Sequence, residues 1–359
     1  VRGVTTSLLK VPTDKLITDS IHRLEAIEVV VTKISTDEDL EGTGFTYTIG
    51  TGGSAIKAII DDVLSPLILG ENPDAISELW AKMWKATNAI GRGGVTSHAV
   101  AAVDIALWDL KGKYLNRPLY SLLGGSRKPI PLYDTDGGWL HYTEEQLVRN
   151  ALEAKKSGFK GFKMKVGKRE VEEDLKRIRA VQSAVGGSLR LMIDANQAWP
   201  ASEALSRGRK YERLDLDWYE EPTIADDVWG HRKIAEALDL PIAVGETIFT
   251  KYEFNNYVRL NACDILQPDV CRVGGITEWL QVAETAEVNG LPVSPHFVMD
   301  LHVSLVASIT NGLYVEYIPW MRKILSNPPI VDNGYILPPD SPGIGFEIKD
   351  ESIQKYKIS

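Results

Sequence analysis

Two lysines stand two residues apart in Gly161-Phe162-Lys163-Met164-Lys165-Val166-Gly167, an apolar run with a glycine at each end. The run reads as a short strand, so both side chains point to one face. Two ammonium groups so placed repel, and each is expected to depress the other's pKa. Alone, the pair would be an edge strand with two solvated lysines. Three acids downstream change that reading. Asp194 ends Leu191-Met192-Ile193-Asp194, Glu220 and Glu221 follow Trp218-Tyr219, and Glu246 follows Ile242-Ala243-Val244-Gly245. Any one of them is an ordinary helix cap or loop residue. Three at matching positions repel unless a cation lies among them, and oxygen-only ligands select a hard divalent ion such as Mg²⁺. Glu221 is the weaker ligand candidate, because its side chain should face away from that of Glu220.

Two further runs end in Gln267-Pro268-Asp269 and Ser294-Pro295-His296. If their ends are neighbours, Asp269 reaches one imidazole nitrogen of His296, fixes the tautomer and raises the basicity of the other nitrogen. Of the remaining histidines, only His22 and His141 fall in loops that could border such a site. Glu316 ends the last apolar run and completes the ring of polar strand ends.

These residues need a scaffold that brings strand ends together. Between Ile130 and about residue 318, short apolar runs alternate with amphipathic helical patterns. The candidate strands are Ile130–Asp134, Gly161–Val166, Arg190–Asp194, Asp217–Glu220, Ile242–Glu246, Asp264–Gln267, Pro292–Ser294 and Leu313–Glu316. Such alternation implies a parallel sheet. Eight units predict a closed β/α barrel, whose sites lie at the C-terminal strand ends. A doubly wound open sheet is the rival, but no Gly-x-Gly-x-x-Gly follows a strand.

Ahead of the barrel, residues 1–60 alternate as strands, with Ala26–Ile34 and Gly44–Thr48 the clearest and Asp37-Glu38-Asp39 a turn between them. Thr13–Arg23 is polar without a clear period and reads as a loop. Residues 54–123 carry helical spacing, including a long helix through Ala99, Val103, Ala106 and Leu110. The expected organisation is an α+β domain over residues 1–125 and a barrel over 126–326. The Pro- and Gly-rich residues 327–359 are expected to return to the first domain.

The chain's 359 residues, 44% of them hydrophobic, suffice for a large core. A net charge of −9 and the lack of any Lys/Arg-rich run leave no footprint for nucleic acid. No run approaches a membrane span. No signal-peptide pattern opens the chain, although it begins at Val1 and a removed leader stays open. Cys263 and Cys271 read as buried free thiols, which suits a reducing cytoplasm. A homo-oligomer is expected.

Strand two would put its lysines on one side of a Mg²⁺ ion, and strand seven would put His296 on the other. A carboxylate substrate chelated between them exposes its α-carbon to a base on either face. Removing that proton gives an enediolate whose charge a nearby cation spreads.

On Lys163-Met164-Lys165, Asp194-Ala195-Asn196, Glu220-Glu221-Pro222, Gly245-Glu246, Gln267-Pro268-Asp269 with Gly274-Gly275, and Ser294-Pro295-His296, the chain resembles the enolase superfamily, mandelate racemase subgroup, over nearly its whole length. The resemblance implies a modified (β/α)₇β TIM barrel under an α+β capping domain. It implies Mg²⁺ on Asp194, Glu220 and Glu246, Lys165 as base on one face, and His296 with Asp269 as acid or base on the other. Lys163 would neutralise the substrate carboxylate, and Glu316 would hydrogen-bond it.

Within the subgroup, Glu41–Tyr47 and Gly137-Gly138-Trp139-Leu140-His141 are most similar to acid-sugar dehydratases of the talarate/galactarate type. The loop from Lys15 to Arg23 departs from that type. Asn196, His22, Arg23, Trp139 and His141 are the expected substrate-binding residues for a sugar acid. Lys15, Asp134, Thr135 and Asp136 stand in the same bordering loops, whose polarity favours a polyol chain. The expected reaction eliminates the β-hydroxyl to give a 2-keto-3-deoxy acid. Racemisation of a 2-hydroxy acid and non-catalytic binding of a sugar acid are the alternatives.

Overall fold

Period-two alternation of Val and Ile builds the first sheet in the computed structural model, which describes residues 1–359. Strands β1 (Gly3–Thr18), β2 (Arg23–Ser35) and β3 (Glu41–Thr48) form an antiparallel meander in that order. Thr13–Thr18, expected as loop, belongs to β1. The β1–β2 register slips between Pro12 and Ile17, then resumes with Ile17 opposite Leu24. That irregularity breaks the period and hides the strand in the sequence. Only residues 19–22 turn.

The helices α1 (Gly53–Ile59), α2 (Ser65–Ile68), α3 (Ile76–Ala86), α4 (Val95–Tyr114) and α5 (Leu119–Leu122) complete the cap, with a π-helical turn at Ile60–Leu64. Helix α4 is buried on nearly every side. Its alanines let β3 lie directly on it: a Cβ added to Gly44 would meet the Ala102 carbonyl oxygen at 2.0 Å. Leu8, Val30, Ile56, Leu79, Val103 and Leu107 close this layer. Each such buried side chain stabilises the fold by about 1.5–3 kcal/mol.

The barrel runs β4 (Ile130–Asp134), α6 (Glu144–Lys156), β5 (Gly161–Lys165), α7 (Val171–Val185), β6 (Arg190–Asp194), α8 (Ala201–Tyr211), β7 (Trp218–Glu220), α9 (Val228–Ala237), β8 (Ile242–Val244), α10 (Lys251–Arg259), β9 (Ile265–Leu266) and α11 (Ile276–Val288). The seventh strand is reduced to Val293, which bridges Leu266 on one side and Gly312 on the other. After α12 (Met299–Val306), β10 (Val315–Tyr317) pairs in parallel with β4 and closes the ring. Seven β/α units and a last strand make a (β/α)₇β barrel. Tyr133, Met192, Trp218, Ala243 and Ile265 pack together in one cluster contributed by β4, β6, β7, β8 and β9.

Residues 327–359 divide between the two layers. β11 (Leu325–Ser326) pairs with β14 (Glu347–Ile348). The hairpin β12 (Ile330–Asp332) and β13 (Tyr335–Leu337) adds to β4, with Ile336 opposite Ile130. Helix α13 (Asp350–Tyr356) then reaches the cap, where Ile358 N donates to Leu8 O at 2.8 Å. One hydrophobic cluster joins Phe45 and Tyr47 of the cap to Val270 and Phe297 of the barrel, so the two layers share a core.

Candidate active site

The C-terminal strand ends bring the lysines and acids together. Lys163 Nζ lies 2.5 Å from Glu220 Oε1, 2.8 Å from Glu316 Oε1 and 3.5 Å from Asp194 Oδ2. Lys165 Nζ donates to Asp194 Oδ2 at 2.5 Å. All five groups are buried. Oxygens of Asp194, Glu220 and Glu246 lie within 4.8 Å of one another, a spacing one divalent cation can bridge. Glu221 points elsewhere: it accepts from Thr247 Oγ1 and Gln197 Nε2 at 2.5 and 3.1 Å.

The acids outweigh the depression that Lys163 exerts on Lys165. Burial pushes both ammonium groups down, but the Glu220 and Glu316 charges at Lys163, and the Asp194 charge at Lys165, outweigh it. Both end above the ordinary lysine value. Burial and the Asp194 charge push Glu220 up to about 8.

On the other side of the triad, His296 Nδ1 sits 2.8 Å from Asp269 Oδ2, and His296 Nε2 lies 3.4 Å from Glu246 Oε2. Burial lowers the His296 pKa, while the Glu246 charge and the Asp269 hydrogen bond outweigh that and raise it. Glu316 is fixed by Thr135 Oγ1 at 2.7 Å and by Phe297 N at 2.8 Å.

The backbone turns sharply just after these residues. Asn196, Gln197, Glu221, Phe297 and Val298 have φ of 42°, 62°, 38°, 50° and 38°. Left-handed backbone is costly for such residues, above all for β-branched Val298. It directly follows or nearly follows Asp194, Glu220 and His296, where it re-aims the chain at the strand ends.

Of the expected binding residues, Asn196 and Trp139 join the centre. Asn196 N donates to Asp194 Oδ1 at 2.8 Å, and its own Oδ1 is buried without a partner. Trp139 places its ring 5.4 Å from Lys165 Nζ, with Nε1 buried and unpaired. Gly138 makes that approach possible, since a Cβ there would meet Lys163 O at 2.0 Å.

His22, Arg23 and His141 belong to the rim. His22 Nδ1 bonds Asp19 Oδ2 at 3.0 Å, His141 Nδ1 bonds Thr18 Oγ1 at 2.8 Å, and Arg23 is exposed at the start of β2. Lys15 is tied to Asp136 at 2.7 Å.

Sequence reasoning missed Asp19, Arg272 and the reach of Tyr47. Burial pushes the Asp19 carboxyl up, but the His22 hydrogen bond and the Lys165 charge hold it below its ordinary value. Arg272 Nη1 donates to Glu246 O at 2.7 Å. Tyr47 OH donates to Asp269 Oδ2 at 2.5 Å. Arg272 could have been suspected three residues after Asp269; nothing local marks Asp19 or Tyr47.

A capped (β/α)₇β barrel with acids on consecutive strand ends, a Lys-x-Lys strand and an Asp–His pair defines an enolase-type enzyme scaffold. Residues 4–124 match the mandelate racemase/muconate lactonizing enzyme N-terminal domain, and residues 146–352 match the enolase C-terminal domain-like family. The chain belongs to the mandelate racemase/muconate lactonizing enzyme family of the enolase superfamily.

It is 35% identical to the L-talarate/galactarate dehydratase of Salmonella typhimurium, over 94% of this chain and 85% of that protein. It is also 35% identical to the 3,6-anhydro-alpha-L-galactonate cycloisomerase of Streptomyces coelicolor, over 100% and 99% of the two chains. The crystal structure of L-talarate dehydratase from Polaromonas sp. JS666, complexed with Mg and L-glucarate, superposes with a TM-score of 0.94 at 35% identity, covering 99% of this chain and 96% of that one.

Proposed function

We propose that this enzyme is a Mg²⁺-dependent acid-sugar dehydratase acting on a talarate- or galactarate-like polyhydroxy carboxylate. One observation carries the reading: Lys165 contacts one member of the acidic triad, Asp194, while the Asp269–His296 pair contacts another, Glu246. A site so arranged offers a proton-transfer group on each side of the acidic triad.

The residues fit a divalent ion. The donors are all carboxylate oxygens, and Glu246 Oε2 is buried with no hydrogen-bond partner. Asp194, Glu220, Glu221, Glu246, Asp269 and Glu316 are buried against Lys163, Lys165, Arg272 and His296, a surplus of acids over bases that a dication offsets. When bound, Mg²⁺ supplies charge stabilisation to a carboxylate substrate and competes with the lysines for the acids.

Lys163 holds the substrate carboxylate, and Glu316 hydrogen-bonds it by taking up a proton when the substrate replaces it as the partner of Lys163. Asn196 Oδ1 and Trp139 Nε1 gain partners in its hydroxyls. Lys165, released from Asp194 and having lost its own proton, takes the α-proton. His296, steadied by Asp269, gives a proton to the β-hydroxyl, which leaves as water. The resulting enol takes a proton at C3, gives up its C2 hydroxyl proton and becomes the 2-keto-3-deoxy acid. Positioned proton transfer of this kind contributes about 10²–10⁴-fold. For an epimer whose α-proton faces His296, the two roles exchange. The free buried Cys263 and Cys271 suit a reducing, cytoplasmic setting.

A panel of aldonic and aldaric acids, incubated with protein and Mg²⁺ and assayed with a carbonyl reagent, tests this reading. At least one acid should give a 2-keto-3-deoxy product that chelation abolishes. Interconversion of α-epimers with no keto product would replace dehydration with racemisation.

A further inference from the structure

Tyr47 belongs to the cap, yet its hydroxyl ends inside the barrel. The residue is 1% exposed on β3. Its oxygen lies 2.5 Å from Asp269 Oδ2 and 3.3 Å from His296 Nδ1, while Nδ1 itself lies 2.8 Å from the same Asp269 oxygen. Asp269 Oδ1 accepts from Cys271 N at 2.8 Å. An ionised carboxylate only accepts, so Tyr47 O–H and His296 Nδ1–H must both donate to Oδ2. That assignment leaves Nε2 as the free nitrogen, facing Glu246.

The tyrosine ring is fixed on several sides. It meets Phe297 edge-on at 4.6 Å, and the Arg272 guanidinium lies 5.4 Å from its centroid. Thr46 Oγ1 donates to Cys271 O at 3.1 Å and pins β3 against the turn that follows Asp269. A phenylalanine would fill the same apolar space. A buried hydroxyl needs a partner, and the partner here is the carboxylate that orients His296.

The geometry points to Tyr47 as a positioning residue: by donating to Asp269 it holds His296 as the Nδ1–H tautomer, so proton transfer on the His296 face depends on the seated cap. Without the hydroxyl, Asp269 Oδ2 keeps one donor of two and the carboxylate is freer to turn. Burial pushes the Tyr47 hydroxyl well above its ordinary value, so it keeps the proton it donates.

The decisive experiment compares Mg²⁺-loaded wild type, Tyr47→Phe and Thr46→Val by NMR with ¹⁵N-labelled histidine, the His296 signals being assigned through His296→Asn. Wild type should show a protected Nδ1–H resonance for His296. Tyr47→Phe, folded by circular dichroism, should lose or broaden it. Thr46→Val, which touches the same turn but not the Asp–His pair, should retain it.

The kinetic counterpart rests on the dehydratase reading. In Tyr47→Phe the His296-dependent elimination should slow about 10- to 100-fold, with little change in KM, as for loss of a hydrogen bond to a charged group. Lys165-dependent α-proton exchange should hold its rate. An unchanged Nδ1–H resonance in folded Tyr47→Phe, its equal loss in Thr46→Val, or equal slowing on both faces would overturn the role. If wild type turns over no sugar acid, the functional reading is what fails, and the resonance alone decides Tyr47.

Discussion

Lys163 and Lys165 illustrate what single residues reveal and conceal. Their spacing gives a shared face, and that placement holds; Lys163 does depress Lys165 as expected, but nearby acids outweigh it and both lysines end above the ordinary value. The acids that outweigh it arrive from β6, β7 and β10, and no local pattern states their distance. Asp269 and His296 were legible because each ends an apolar run, and strand ends meet in a barrel. Asn196 and Trp139 were expected through the family resemblance, from Asp194-Ala195-Asn196 and from Gly137-Gly138-Trp139-Leu140-His141. His296→Asn removes the Nε2 atom near Glu246 while keeping a short polar side chain toward Asp269. Dehydration should then fall about 10²–10⁴-fold. Exchange of the substrate α-proton with solvent deuterium, followed by NMR, should continue through Lys165. Loss of both activities together would mean that His296 supports the site as a whole.

Elements set the limits of such reading. The candidate strands Ile130–Asp134 and Arg190–Asp194 coincide with β4 and β6, because buried parallel strands give short apolar runs with clear ends. The seventh strand shrinks to Val293, since the chain turns at once into the strained stretch Phe297-Val298. Thr13–Thr18 escaped notice because the irregularity at Pro12–Ile17 breaks the alternation on which a strand is recognised. Helix packing adds a pH prediction. His231 on α9 lies 5.2 Å from the Tyr257 ring on α10, and burial pushes its pKa down to about 4. Its unfolded value is about 6.5. Between these values the unfolded chain binds a proton that the folded chain refuses, so this contribution to stability falls as pH drops from 6.5 toward 4. Relative to His231→Gln, wild type should lose about 1.4 kcal/mol per pH unit in that window, measured by urea unfolding. Parallel pH profiles for the two proteins would remove His231 from the acid response.

Across the whole molecule, the cap and barrel share one core, and Tyr47 joins them at the Asp–His pair across 222 residues of sequence. That contact was invisible in the sequence because cap-to-barrel docking follows neither period nor motif. The same docking makes metal binding a property of the folded whole. A ligand bound only by the native state raises stability by about 2.7 kcal/mol at a hundred times its Kd. Mg²⁺ should therefore raise the melting temperature of wild type, and Glu246→Gln should lose most of that gain together with turnover. An identical Mg²⁺ response in the variant would place the ion elsewhere. The central claim is α-proton removal followed by loss of the β-hydroxyl. It is tested most directly by ¹H NMR of a sugar acid incubated with the Mg²⁺-loaded enzyme in D₂O. The predicted result is a 2-keto-3-deoxy acid carrying deuterium at C3. Accumulation of the α-deuterated epimer, with no keto acid formed, would contradict it.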